Sequence, residues 1–188
     1  MTRSGVRLQT LGKETLAVSL AHLLAFFLTF EALRPIQGFF FPDFPSYASL
    51  LFLPHGVRVL AAWLLGWRAA IALAPGVFLS YFYVARAGVF DLGHLTGIVV
   101  AVTIAPAVFH TLYALGWNIA PRADKRPCWP CIMAVGVIIS ILNSVLTNLA
   151  FGSTPAEYFA YLIGDIFGLF FLMLILMFAF RSLRSLGR

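Results

Sequence analysis

The sequence predicts an all-α fold, a polytopic membrane helix bundle of about six transmembrane helices with almost nothing outside the bilayer. Three observations predict it. The chain is 61% apolar and 11% charged over 188 residues, whereas a soluble domain is roughly half apolar and a quarter charged. It divides into six apolar stretches, at about 14–33, 46–66, 69–86, 94–117, 130–151 and 157–180, each of the length that crosses about 30 Å of hydrocarbon. The basic residues gather in the gaps between these stretches, and mostly in gaps on one side.

The first stretch follows Arg3, Arg7 and Lys13 as a secretory signal would. It runs on to Glu31 and Arg34 without a small-x-small cleavage site, so it is expected to stay as a helix. The segment Ile36–Pro45, with Phe39, Phe40 and Phe41 before Pro42, is too short to span and too proline-rich for a regular helix. It is expected at the outer interface, either as an aromatic anchor or as a re-entrant lid over an outward-facing pocket. The remaining gaps are short, with no low-complexity linker, which makes residues 1–188 a single integral membrane domain.

With the amino end inside, Arg3, Arg7, Lys13, Arg68, Arg122, Lys125, Arg126, Arg181, Arg184 and Arg188 fall on the inner side, and Arg34 and Arg86 on the outer, ten against two. That asymmetry predicts both termini in the cytoplasm. Trp67, Trp117 and Trp129 at the inner boundary, and Tyr47, Tyr81, Tyr83 and Tyr158 toward the outer one, agree as interfacial anchors. The net charge of +6 forms no basic face or helix, which excludes nucleic acid as a partner and leaves the lipid bilayer as the main one.

Arg58 alone among the basic residues falls inside a span. A charge at the bilayer centre costs about 2.5–3.5 kcal/mol on insertion scales, so it needs a partner or a function. Counting inward from the outer side places His55 about 13 Å deep, Arg58 about 18 Å and Asp165 about 12 Å. His55 and Arg58 share a helix face, and Asn143 lies at a similar level in the fifth helix on a small or polar stripe with Gly136, Ser140 and Thr147. Two readings stay open. Asp165 and Arg58 neutralise one another while His55 and Asn143 complete the hydrogen bonding, or Arg58, His55, Asp165 and Asn143 form a pocket for a small anionic or polar ligand or a proton.

Pro54 and Gly56 flank His55, and Pro75-Gly76 and Pro106 interrupt the third and fourth helices, places where backbone hydrogen bonding weakens. Thr15, Ser19 and His22 on the first helix, and Thr96, Thr103 and His110 on the fourth, read as polar contacts between helices. Ala17, Ala21 and Ala25, like Gly164 and Gly168, are small residues four apart that permit close helix approach. Cys128 and Cys131 are spaced as a dithiol at the inner mouth of the fifth helix, where a helix amino terminus and Lys125 and Arg126 favour a thiolate. A cytoplasmic pair is expected reduced, so a redox role is the minor reading; two further ligands would be needed for a metal, and no metal or cofactor is expected.

The stretch from Phe52 through Pro54, His55, Gly56 and Arg58 to Gly66, Trp67 and Arg68, followed by Pro75-Gly76, resembles the bacterial membrane-associated sensor domain of the MASE type. Gly164-Asp165-Ile166-Phe167-Gly168 is similar to that family's late Gly-Asp-x-x-Gly helix. The resemblance covers roughly half the chain and implies a bacterial inner-membrane protein that senses or relays a signal. That family usually precedes a histidine kinase or diguanylate cyclase and has more helices. No output domain follows Arg181–Arg188, so the signal would pass to a separate protein partner in the membrane or at its cytoplasmic face. His55 and Arg58 stand where the family is usually less polar, so the candidate pocket rests on this sequence alone. No nucleotide loop or nucleophile with an evident base is present, and the expectation is a non-enzymatic, sensor-like module. A substrate-binding subunit of a solute transporter, or a structural subunit of a membrane complex, are the alternatives.

Overall fold

The computed structural model describes residues 3–40, 49–121, 127–152 and 155–186. Phe41–Pro45, Tyr47, Arg122, Lys125, Arg126 and Arg188 lie outside the described residues. Every regular element among those described is helical: α1 (Arg3–Phe27), a π-helical turn (Leu28–Leu33), α2 (Arg34–Phe40), α3 (Leu53–Leu65), α4 (Arg68–Ala85), a 3-10 turn (Arg86–Phe90), α5 (Leu92–Ala114), α6 (Trp129–Phe151) and α7 (Pro155–Leu186). Five segments are long and apolar enough to cross a membrane: Leu8–Phe40, Arg68–Phe90, Leu92–Ala114, Trp129–Phe151 and Tyr158–Ser185.

The second predicted span differs. Instead of one helix over 46–66, the structure has the 13-residue α3, about 20 Å long at helical rise, preceded by the non-helical stretch 49–52. Irregular backbone is tolerated at membrane depth only where protein covers it and satisfies its polar groups. Here the Phe52 N–H donates to the Gly164 carbonyl at 2.9 Å, the Leu50 N–H to Gln37 at 2.7 Å, and the Leu53 N–H to Thr29 at 3.3 Å. The contact with α7 requires glycine: a Cβ on Gly164 would run into the Ser49 carbonyl, and one on Gly168 into that of Phe52.

The first helix also runs further than predicted, since Arg34–Phe40 continues it as α2. Pro35 enters a helix there because the preceding turn is widened: the Arg34 N–H reaches back to the Thr29 carbonyl, five residues earlier, a π-type bond that gives the ring room.

Helix directions follow from the pairs in contact. α1 and α4 are parallel, joined by Glu14 and Arg68 at 3.1 Å near one end and by Tyr83 donating to Glu31 at 2.7 Å toward the other. α6 and α7 are antiparallel, with Asn143 on Asp165 and Ser144 on the Tyr158 carbonyl. The stretch before α3 meets both the late part of the first helix, through the Leu53 N–H on Thr29, and the early part of α7, through the Phe52 N–H on Gly164, so the amino end of α1 and the carboxyl end of α7 emerge together, at the end that carries Lys13, Arg68, Arg181 and Arg184.

α6 shows how lipid and protein divide a helix. Its buried face is Ile132, Val135, Gly136, Ile139, Ser140, Asn143, Ser144, Thr147 and Asn148, the 3-4 spacing of one helical stripe. Ile138, Ile141, Leu142, Val145, Leu146 and Leu149 on the other side are exposed. The small-residue patterns fare differently, for Gly164 and Gly168 pack internally whereas Ala17 and Ala21 face outward and only Ala25 is buried. Thr96, Thr103 and Thr111 turn their hydroxyls back to carbonyls of their own helix rather than across to another, and His110 is exposed beside Trp67.

Ser19 does bridge helices. Its hydroxyl donates to the Ala72 carbonyl at 2.9 Å and accepts from the Gly76 N–H at 3.1 Å, supplying both sides of the backbone just around Pro75. A Cβ on Gly76 would come within 2.9 Å of Ser19, so the two helices touch here. Hydrogen bonds between membrane helices contribute about 0.6 kcal/mol on average and up to about 1.7. Ser19→Ala is expected at the upper end, a loss of about 1.5 kcal/mol, read by unfolding in detergent, because two buried backbone groups lose their partner.

Candidate functional site

α3 begins in mid-fold, and its first turn holds Pro54, whose missing N–H costs nothing at that position. This start sets His55 and then Arg58, three residues on, against α6 and α7. All four candidate residues come together. Asp165 accepts from Asn143 Nδ2 at 2.8 Å and meets His55 Nδ1 at 3.1 Å, both at Oδ2. Arg58 stands off at 4.0 Å from Oδ1, an ion-pair distance but too long for a hydrogen bond. His55 and Asp165 each keep 1% of their surface exposed, Arg58 and Asn143 6%.

The partner of Asp165 that the sequence could not rank is therefore His55. Behind it, Ser140 Oγ lies 3.1 Å from His55 Nε2 and 2.9 Å from the Gly136 carbonyl, to which it donates. Serine, histidine and aspartate are connected here in the order that acyl-transfer enzymes use. Ser140, however, is fully buried and does not line the cavity described next. Its chain of bonds serves to fix the ring of His55 and, through it, the carboxylate.

A cavity of about 360 Å³ leads from this cluster toward the end of the bundle opposite the termini. Arg58, Asn143, Asp165 and His22 form its deep part, Phe26, Phe30, Phe52 and Tyr81 stand along it, and Arg34, Val84, His94 and Phe151 lie toward the far end. Its size falls in the low range of small-molecule pockets, which run from about 300 to 1,000 Å³. Three buried polar atoms on its lining have no hydrogen-bond partner among the described residues: Arg58 Nε, Asn143 Oδ1 and His22 Nδ1. Buried polar groups are ordinarily bonded, so their convergence on one cavity marks a place where a polar ligand group fits.

Sequence reasoning placed His22 as a contact between helices and Tyr81 as an interfacial anchor; both instead line the cavity. The signal for His22 was present, because Ser19, His22, Phe26 and Thr29 follow the 3-4 spacing and all four are buried. Tyr81 carried no such signal. Its hydroxyl lies over Gly97, where an added Cβ would come within 3.0 Å, a fit that only the approach of α4 to α5 reveals.

The cysteines differ from expectation. Cys128 and Cys131, anticipated as free thiols, are joined as a disulfide. Their Cα atoms are 5.2 Å apart, within bridging range, because Cys128 caps α6 and its sulfur accepts the Cys131 N–H at 3.3 Å. They lie near the end of the bundle that carries the termini, away from the cavity. Among the described residues, no group of three or more His, Cys, Asp or Glu could hold a metal. No family model, no curated protein and no solved structure matches the chain.

Proposed function

We propose that this protein is a sensor-like module of the bacterial inner membrane, both termini cytoplasmic, which binds a small ligand in the cavity and signals to a partner protein. The observation that carries the reading is the buried, unsatisfied polar floor: Arg58 Nε and Asn143 Oδ1 lie at the level of Asp165 with hydrocarbon-facing helices around them. Intramembrane ionisable groups are expensive, and a pure structural pair would close the gap that Arg58 leaves.

α7 supplies the relay. It contributes Asp165 to the floor and runs on to Leu186, about 30 Å further at helical rise, bringing Arg181 and Arg184 to the end where the ten-to-two charge bias puts the cytoplasm. It also packs through Gly164 and Gly168 on the stretch ending in Phe52, which itself lines the cavity. A ligand that shifts Phe52 or Asp165 therefore acts on α7 directly. The resemblance of these same glycines to the MASE-type sensor helix agrees with that role.

Native mass spectrometry of the protein extracted in mild detergent is expected to show a bound small molecule that is lost in Arg58→Ala. A wild-type protein that never carries or takes up a small molecule would count against the reading. A second reading, a solute-transport subunit, is favoured by one observation: α3 is a half-helix starting in mid-fold beside the cavity, the form transporters use at substrate sites. Ligand accumulation in sealed vesicles would select transport; binding without accumulation would select sensing.

A further inference from the structure

We propose that the ligand is a small organic carboxylate, its anionic head held by Arg58 and its apolar body lying between Phe26, Phe30 and Phe52; this rests on the binding role proposed above. The argument begins with what Asp165 has already taken. Its Oδ2 atom is occupied by Asn143 and His55, which turn the carboxylate so that Oδ1 stays 4.0 Å from Arg58. The guanidinium thus has no hydrogen bond to Asp165. Its carbon sits 5.4 Å over the Phe52 ring, and Nε is unpartnered.

Guanidinium presents five donors in a planar fork and accepts nothing, so an acceptor-rich head is what it selects, and a carboxylate matches the fork with two parallel bonds. The neighbours point the same way. Asp165 Oδ2 is already met by His55 Nδ1 and Asn143 Nδ2, so the carboxylate on the floor leaves the guanidinium without a hydrogen-bonded anion, and a ligand carboxylate supplies it.

The remaining donors and acceptors favour the same head. Asn143 Oδ1 and His22 Nδ1 are further unpartnered polar atoms on the same lining, which a hydroxyl on the ligand would satisfy. Above the floor, Phe26, Phe30, Phe52, Val77 and Val84 supply most of the wall, with the hydroxyls of Ser49, Ser80 and Thr147 between them, which suits a largely apolar body of modest size. Such a molecule could come from water as an aromatic acid or from lipid as a short acyl chain, and both present the same head.

Thermal shift and calorimetric titration of the purified protein in nanodiscs of zwitterionic lipid test this with benzoate, octanoate, benzamide and benzylamine. Benzoate or octanoate is expected to bind about tenfold or more tightly than the neutral amide and the cationic amine, and which acid does so separates the two sources. In Arg58→Lys the preferred acid should weaken by about tenfold, because the point charge stays and the fork is lost. The wild-type series does not depend on any variant folding. Benzamide or benzylamine binding as tightly as the acids overturns the carboxylate and leaves the binding role standing. No binding of any of the four at millimolar concentration overturns both.

Discussion

Asp165→Ala is expected to destabilise the protein by about 3–5 kcal/mol, read as an equilibrium unfolding free energy in detergent, the usual cost of removing one member of a buried charged cluster. The carboxylate accepts from Asn143 and His55 and faces Arg58, and all four residues are at least nine-tenths buried. Alanine would leave an unpaired guanidinium, an imidazole bonded only through Ser140, and an amide with no acceptor for its Nδ2. Asp165→Asn separates shape from charge. It keeps an oxygen for one of the two donors and should cost about 1–3 kcal/mol, the penalty of a partly unsatisfied buried group. If asparagine proved as damaging as alanine, charge rather than hydrogen bonding would dominate the cluster.

Gly168→Ala is expected to be of similar size, about 3–5 kcal/mol, from overpacking together with a lost backbone hydrogen bond. The added methyl would run into the Phe52 carbonyl and its neighbouring Leu53 nitrogen, which are backbone atoms and cannot rotate away. The stretch 49–52 must then move off α7, which breaks the bond from the Phe52 N–H to Gly164. Phe52 would also leave the Arg58 guanidinium that it covers, so loss of ligand binding should accompany the loss of stability. Gly12 offers the contrast. Nothing lies within 4 Å of a Cβ there, and Gly12→Ala should be neutral or stabilising by up to about 1 kcal/mol, since alanine is the better helix former. Equal effects at the two glycines would refute the close approach at Gly168.

Much of the candidate site was legible because a bilayer makes polar residues conspicuous. Arg58 and Asp165 stand out in apolar runs, and a fixed rise per residue converts sequence position into depth. Depth brought His55 and Asn143 to the same level, and the 3-4 spacing placed Asn143 on the buried stripe of α6 with Ser140. What depth lacks is azimuth. It could not show that His55, rather than Arg58, takes Asp165 as its close partner, nor that His22 and Tyr81 turn inward from α1 and α4.

The sequence by itself determined that this chain is a helical membrane bundle, because only closed backbone hydrogen bonding lets such long apolar runs exist in lipid. It also determined which side chains are costly enough there to demand partners. Tertiary structure decided where α3 starts. Leu50 to Leu53 are as apolar as the helix that follows, and no local preference separates one helix over 46–66 from an extended stretch leading into a short one. The choice is made by α7, whose glycines four residues apart open one face to the Ser49 and Phe52 carbonyls and whose Gly164 carbonyl takes the Phe52 N–H. That contact joins residues more than a hundred positions apart, and it sets His55 and Arg58 beside Asp165, leaving the gap between Arg58 and the carboxylate.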